Sequence, residues 1–180
     1  MSNDKNIHTW LQKISEELAS EGENIRELDS YNGNMFIKKK YDVTLKNGEY
    51  SLGESIIENC PAIYLFYSKD KIVKIEPSFN DVKYGSKAKH KNKKDSSEHI
   101  VYLGKSYTVR ERIIEHLASE DSSPYSLKYN HEKRKDVLKN TVLYVFELKN
   151  DFAEYKEVIL STIETNLHIN CKPMIGSGRV

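Results

Sequence analysis

A chain of 180 residues falls within the usual size of one domain, about 100–200 residues, and its 38% hydrophobic and 31% charged residues include 12 Tyr, 5 Phe and 1 Trp with which to build a core. Together with a mean hydropathy of −0.68 this excludes disorder of the whole chain, and no apolar stretch approaches the roughly 18–20 residues of a membrane-spanning helix. The net charge of +1 hides a partition: residues 1–60 carry −4, residues 61–94 carry +6 and residues 95–180 carry −1.

The start of the chain, MSNDKNIHTW, lacks the basic-then-apolar order of a secretory signal. Ile7, Trp10, Leu11, Ile14 and Leu18 then recur at three- and four-residue spacing, which predicts an amphipathic helix over 5–20. Over residues 34–52, Asn47-Gly48 stands between β-rich flanks and supplies the positive φ angles of a tight hairpin, so the segment reads as strand, turn, strand. PAIYLFYSKDKIVKIEP, residues 61–77, predicts a core strand and a second short strand at Lys71 to Ile75. The run KYGSKAKHKNKK, residues 83–94, is too polar for a packed element and reads as an exposed loop; Lys83, Lys87, Lys89, Lys91, Lys93 and Lys94 there either form a solvated surface or contact a polyanion, and composition leaves the two readings even.

HIVYLG, residues 99–104, is a further strand. A helix over about 108–119 follows from Val109, Ile113 and Leu117 at four-residue spacing, opened by Thr108 and Glu111 as a capping box. Residues 120–130 form a loop, 131–140 a short charged helix, TVLYVFEL at 141–148 an apolar strand, 153–168 a longer helix, and the tail KPMIGSGRV is irregular. Cys60 and Cys171 have no metal-ligand spacing, and two free, structural thiols fit a reducing cytoplasm. Helices this few do not cover both faces of a large parallel sheet, so the order from residue 61 predicts a small α+β domain with a largely antiparallel sheet.

Strand alternation places Ile63 and Leu65 on one face and Tyr64 on the other, with the same pattern around Tyr102; if the apolar faces form the core, both hydroxyls point to the opposite side. Gly104, Lys105 and Ser106 follow, and then Arg112 and His116 stand four apart on a helix face offset from the Val109, Ile113, Leu117 stripe. Two phenols, a guanidinium and an imidazole can therefore converge near the strand-to-helix turn. On spacing alone, cross-strand packing and a solvated helix face explain these residues better.

The ordered set Ala62-Ile63-Tyr64, Tyr102-Leu103-Gly104-Lys105-Ser106, Arg112, His116, then Glu164-Thr165-Asn166-Leu167 and Lys172-Pro173 resembles the GIY-YIG nuclease superfamily over roughly residues 61–176. The chain departs from the family pattern in three places: Ala62 for the usual glycine, a 38-residue interval from Tyr64 to Tyr102, and Gly176 where many members carry asparagine. The resemblance implies a small three-stranded antiparallel sheet flanked by helices, with residues 1–60 as an N-terminal helix and hairpin extension for DNA recognition or dimerisation and 61–180 as the catalytic domain, interrupted by a basic insertion at about 76–98. It implies phosphodiester hydrolysis with one divalent ion, Mg²⁺ or Mn²⁺, held by Glu164. Arg112 would stabilise charge on the phosphate, Tyr64 would act as general base once nearby cations lower its pKa, and Tyr102 and His116 would orient water, base and phosphate. Lys105 and the six lysines of 83–94 would hold DNA. The compact build is similar to type II restriction endonucleases, which pair as a homodimer on palindromic DNA and act beside a cognate methyltransferase. A structure-specific or repair nuclease of the same superfamily is the alternative enzyme, and an inactive nucleic-acid-binding module is the alternative of another class.

Overall fold

The computed structural model describes residues 35–46, 49–52, 57–70, 99–118, 126–130 and 140–175. The expected N-terminal helix, the Asn47-Gly48 turn, the strand at 71–75, the lysines of 83–94, the helix at 131–140 and Gly176 lie outside the described residues. The elements in chain order are β1 (Phe36–Asp42), β2 (Thr44–Lys46), β3 (Glu49–Ser51), β4 (Ala62–Ser68), β5 (Ile100–Ser106), α1 (Val109–Leu117), β6 (Thr141–Leu148), a 3-10 segment (Asn150–Tyr155) and α2 (Lys156–Cys171). The chain is thus α+β, and no helix among the described residues is long and apolar enough to cross a membrane.

Four strands form one antiparallel sheet in the order β1-β6-β4-β5, where the family resemblance implies three. The added strand comes from the segment read as an extension. The segment is expected to be a strand, and its Lys38, Lys39 and Lys40 suit an edge strand, where lysines discourage pairing with other chains. Lys39 Nζ reaches the otherwise buried Glu147 carboxylate on β6 at 2.8 Å, which favours this register of β1 over any slipped one. A second sheet is the hairpin of β2 and β3, with Lys46 paired to Glu49, as the Asn-Gly reading requires.

The central strands β4 and β6 are buried along their whole length because both faces of the sheet are covered. Ala62, Tyr64 and Phe66 of β4 pack with Val109, Ile113 and Leu117 of α1. Ile63, Leu65 and Tyr67 pack with Ile159, Leu160, Ile163 and Leu167 of α2. Each such fully buried large side chain contributes about 1.5–3 kcal/mol, so three of them are enough to seat the nine-residue α1. The tyrosine face is therefore a second core, not the open side that simple alternation suggests.

β5 carries a bulge. Phe66 pairs with Tyr102 but Tyr67 pairs with Ile100, so Val101 is an extra residue. Val101 and Tyr102 consequently both join the α1-side cluster while Ile100 and Leu103 join the other: Tyr102 keeps the face of Tyr64 that alternation gives it, and Val101 leaves the face of Leu103. The outer edge of β5 is partly closed by the tail: Met174 N–H donates to Ile100 O and Ile175 N–H to Val101 O, both at 2.9 Å, so this part of the tail is ordered against the sheet. Lys172 ends α2 in the left-handed conformation at φ 42°, and Pro173 after it cannot continue the helix.

Thr108 is the N-cap of α1, but the expected capping box does not form, since its side chain makes no cap hydrogen bond. The local donors and acceptors are satisfied otherwise. Thr108 N–H donates to Ser106 Oγ at 3.1 Å, Val109 N–H to Cys60 O at 3.2 Å, and Glu111 accepts from Asn59 at 2.9 Å.

Candidate functional site

Gly104 is the centre of the site. It lies opposite Tyr64 in the register and two residues after Tyr102. A Cβ at this position would stand 2.9 Å from both Cε1 and the hydroxyl of Tyr102 and 3.0 Å from the hydroxyl of Tyr64, so both phenols converge over its bare backbone. The rings are 5.9 Å apart between centroids, and Tyr102 also meets the His116 ring edge-on at 4.9 Å.

His116 is buried, which corrects the expectation that its helix face is offset from the core stripe. It follows Ile113 by three residues, a separation that keeps both on one face, and it ranks among the buried residues of α1. Its Nδ1 accepts the Leu127 backbone N–H at 3.0 Å, and because that N–H can only donate, the ring proton belongs on Nε2. Nε2 then donates to the Tyr64 hydroxyl at 2.9 Å. Arg112 and Tyr102 are the other hydrogen-bond partners of that hydroxyl. The oxygen of Tyr64 thus accepts from the imidazole, with the guanidinium of Arg112 and the phenol of Tyr102 beside it. Arg112 is also paired with Glu115 one turn along.

Burial, followed by the phenol of Tyr102, pushes the Tyr64 hydroxyl well above its ordinary value of 10, and Arg112 beside it pulls down without prevailing. The free protein therefore holds Tyr64 as a neutral phenol, against the expectation of a lowered pKa. His116 is driven well below 6.5 by burial and then by Arg112, so its imidazole stays neutral. Below about pH 6.5 the unfolded chain takes up a proton that this ring refuses, and stability falls by about 1.4 kcal/mol per pH unit until the folded ring titrates. Urea denaturation between pH 5 and 7.5 is expected to show this slope in wild type and its reduction in His116→Gln; equal slopes would mean that the ring is protonated when folded.

Glu164 approaches from the other face. It stands on α2, and its Oε1 accepts the Lys105 backbone N–H at 3.2 Å, so carboxylate and phenols meet at the same stretch of β5. Through the backbone of Gly104 and Lys105, the Tyr64 hydroxyl and Glu164 Oε1 are no more than about 10 Å apart. Lys105 Nζ lies 3.7 Å from Glu164 Oε2 and hydrogen-bonds to Ser161, so its charge is committed to this pair. No group of three or more His, Cys, Asp or Glu side chains capable of holding a metal occurs among the described residues. The donor set fits an ion that takes one carboxylate and fills its other positions with water and substrate, as Mg²⁺ does, and does not fit a caged metal.

The structure brings Tyr64, Tyr102, Arg112 and His116 into one cluster and sets Glu164 with Lys105 across the strand from it. Sequence reasoning misses the Leu127 N–H that fixes the imidazole, because a backbone donor in a loop has no residue signature. It misses Glu115 as well, although the three-residue step from Arg112 on a predicted helix is a usable signal. Cys60 and Cys171 are free thiols pushed up to about 11 and about 12, chiefly by burial, which leaves both protonated at neutral pH. No protein-family model, curated protein or solved structure matches this chain.

Proposed function

We propose that the protein is a Mg²⁺- or Mn²⁺-dependent endonuclease that hydrolyses phosphodiester bonds in DNA, a sequence-specific restriction enzyme of type II build working in the cytoplasm as a homodimer. One observation carries this reading: two phenols, a guanidinium and a neutral imidazole converge over a glycine, and a carboxylate meets the same strand from its far face. Phosphodiester hydrolysis needs these parts. The guanidinium fork of Arg112 leaves Glu115 for the phosphate and stabilises the charge that develops there. Tyr64 receives the proton of the attacking water, with His116 Nε2–H and Arg112 stabilising its phenolate and Tyr102 holding the pair in register. Glu164 would hold the divalent ion, which would supply Lewis-acid polarisation of the phosphate. Lys105 orients Glu164 through its backbone N–H and its Nζ.

The test is digestion of unmethylated plasmid and phage DNA with Mg²⁺, with EDTA, Arg112→Ala and Glu164→Gln as controls. Discrete fragments are expected, with cleavage reduced by about 10²–10³-fold in Arg112→Ala. Nicks or smears that need both residues would replace the restriction reading by a structure-specific or repair nuclease. Well-folded wild type that binds DNA in a salt-sensitive manner and never cuts it would leave an inactive nucleic-acid-binding module.

A further inference from the structure

Tyr107 is the residue of this region that the chemistry above does not use. It occupies the turn between β5 and α1, midway along the chain between Gly104-Lys105, where Glu164 docks, and Arg112. A large aromatic side chain at such a position is normally packed away, yet Tyr107 is 41% exposed. The turn is held from within by the Thr108 N–H to Ser106 Oγ hydrogen bond, so the ring is carried on an ordered stretch of backbone. Lys156, the first residue of α2, places its Nζ 5.7 Å from the ring centroid. Glu157 and Glu164 are close enough to help raise the phenol above 10, after burial. The ring is thus a neutral, apolar plate with a cation on it, at the border of the two halves of the site.

From this placement we infer that Tyr107 is a stacking platform for an unstacked nucleobase beside the scissile phosphate, with Lys156 contacting that nucleotide's own phosphate. The inference rests on the nuclease reading above. A phosphate that reaches Arg112 on one side of β5 and the carboxylate on the other passes by this turn, and the base attached to it then comes against the exposed ring of Tyr107. Inside a continuous duplex both faces of every base are already covered, so an aromatic plate gains a partner only where the base has left the stack. The substrate is therefore duplex DNA opened at the cleaved step by a flipped nucleotide.

The experiment uses the full chain in EDTA, where no cleavage confuses binding, and a single-stranded oligothymidine carrying 2-aminopurine at regular intervals as the probe. Wild type, Tyr107→Leu and Tyr107→Trp are compared for Kd and for the emission of the bound probe. Loss of the ring is expected to weaken binding by about 10- to 100-fold and to brighten the bound 2-aminopurine, while Tyr107→Trp keeps wild-type affinity within about 3-fold. A Tyr107→Leu protein that binds as wild type does overturns the inference and leaves the nuclease reading in place, as does a Trp variant that loses as much affinity as Leu. Wild type that neither binds this probe nor cuts duplex DNA overturns both.

Discussion

A Tyr64→Phe protein is expected to cleave DNA about 10²–10⁴-fold more slowly than wild type and to lose the pH dependence of the remaining rate. The phenol is fully buried and held well above 10, so below that value the phenolate fraction in the free protein falls tenfold with each pH unit. The kcat/KM of wild type is accordingly expected to rise about tenfold per pH unit between pH 7 and 9, and that of the Phe variant to stay flat. The substitution keeps the ring and its edge contact with Phe66 at 6.5 Å, so it opens no cavity. It does remove the acceptor of His116 Nε2–H. A buried donor left without a partner costs about 1–3 kcal/mol, which denaturant unfolding measures separately from activity. Were the Phe variant to keep the wild-type pH profile, Tyr64 would be a packing residue and another group the base.

These numbers explain why the site was only partly legible in the sequence. Tyr64, Tyr102, Gly104, Arg112 and His116 can be placed on strand and helix positions from the sequence, but spacing alone does not single them out; their ordered combination, which resembles a known family, does so and adds Glu164. What alternation does not give is the bulge that turns Val101 to the face of Tyr64 and Tyr102, away from Leu103. Nor does it give the second core layer, because deciding that both faces of β4 are covered requires knowing that α1 and α2 lie on opposite sides. That covering is what reverses the pKa expectation: the cation was read correctly, but the desolvation that outweighs it is a property of the assembled sheet.

The strands were more legible than the sheet. β4 and β6 declare themselves as runs of β-branched and aromatic residues, and β6 begins and ends where the apolar run does. β1 is expected as a strand too, but its place in the main sheet is not legible, because the Lys39–Glu147 pair that favours its register depends on an acidic residue more than a hundred positions away. Local pattern identifies an element; which edge it joins is decided by partners that the pattern does not contain.

Replacing Gly104 by Ala is expected to lower both stability and cleavage, and it probes the convergence of the two phenols more directly than removing either. The added methyl would lie within 3.0 Å of both hydroxyls, closer than side-chain carbons approach other atoms, so a ring must move. Tyr102 has little room, being packed against the rings of His116 at 4.9 Å and Tyr64 at 5.9 Å. If Tyr64 yields instead, its 2.9 Å hydrogen bond with His116 lengthens. Overpacking of this kind costs about 1–3 kcal/mol, which for a chain of this size lowers Tm by about 3–10 °C. Displacing the reacting phenol by about 1 Å is expected to reduce cleavage by about 10²-fold. Combining Gly104→Ala with Tyr102→Leu separates the two effects: truncating the ring frees the space that the methyl needs, so the double variant is expected to be more stable than the sum of the single changes predicts, yet to stay inactive for want of the second phenol. A Gly104→Ala protein with wild-type Tm and cleavage would show that the hydroxyls do not meet above this residue, and the site built on their meeting would fall with it.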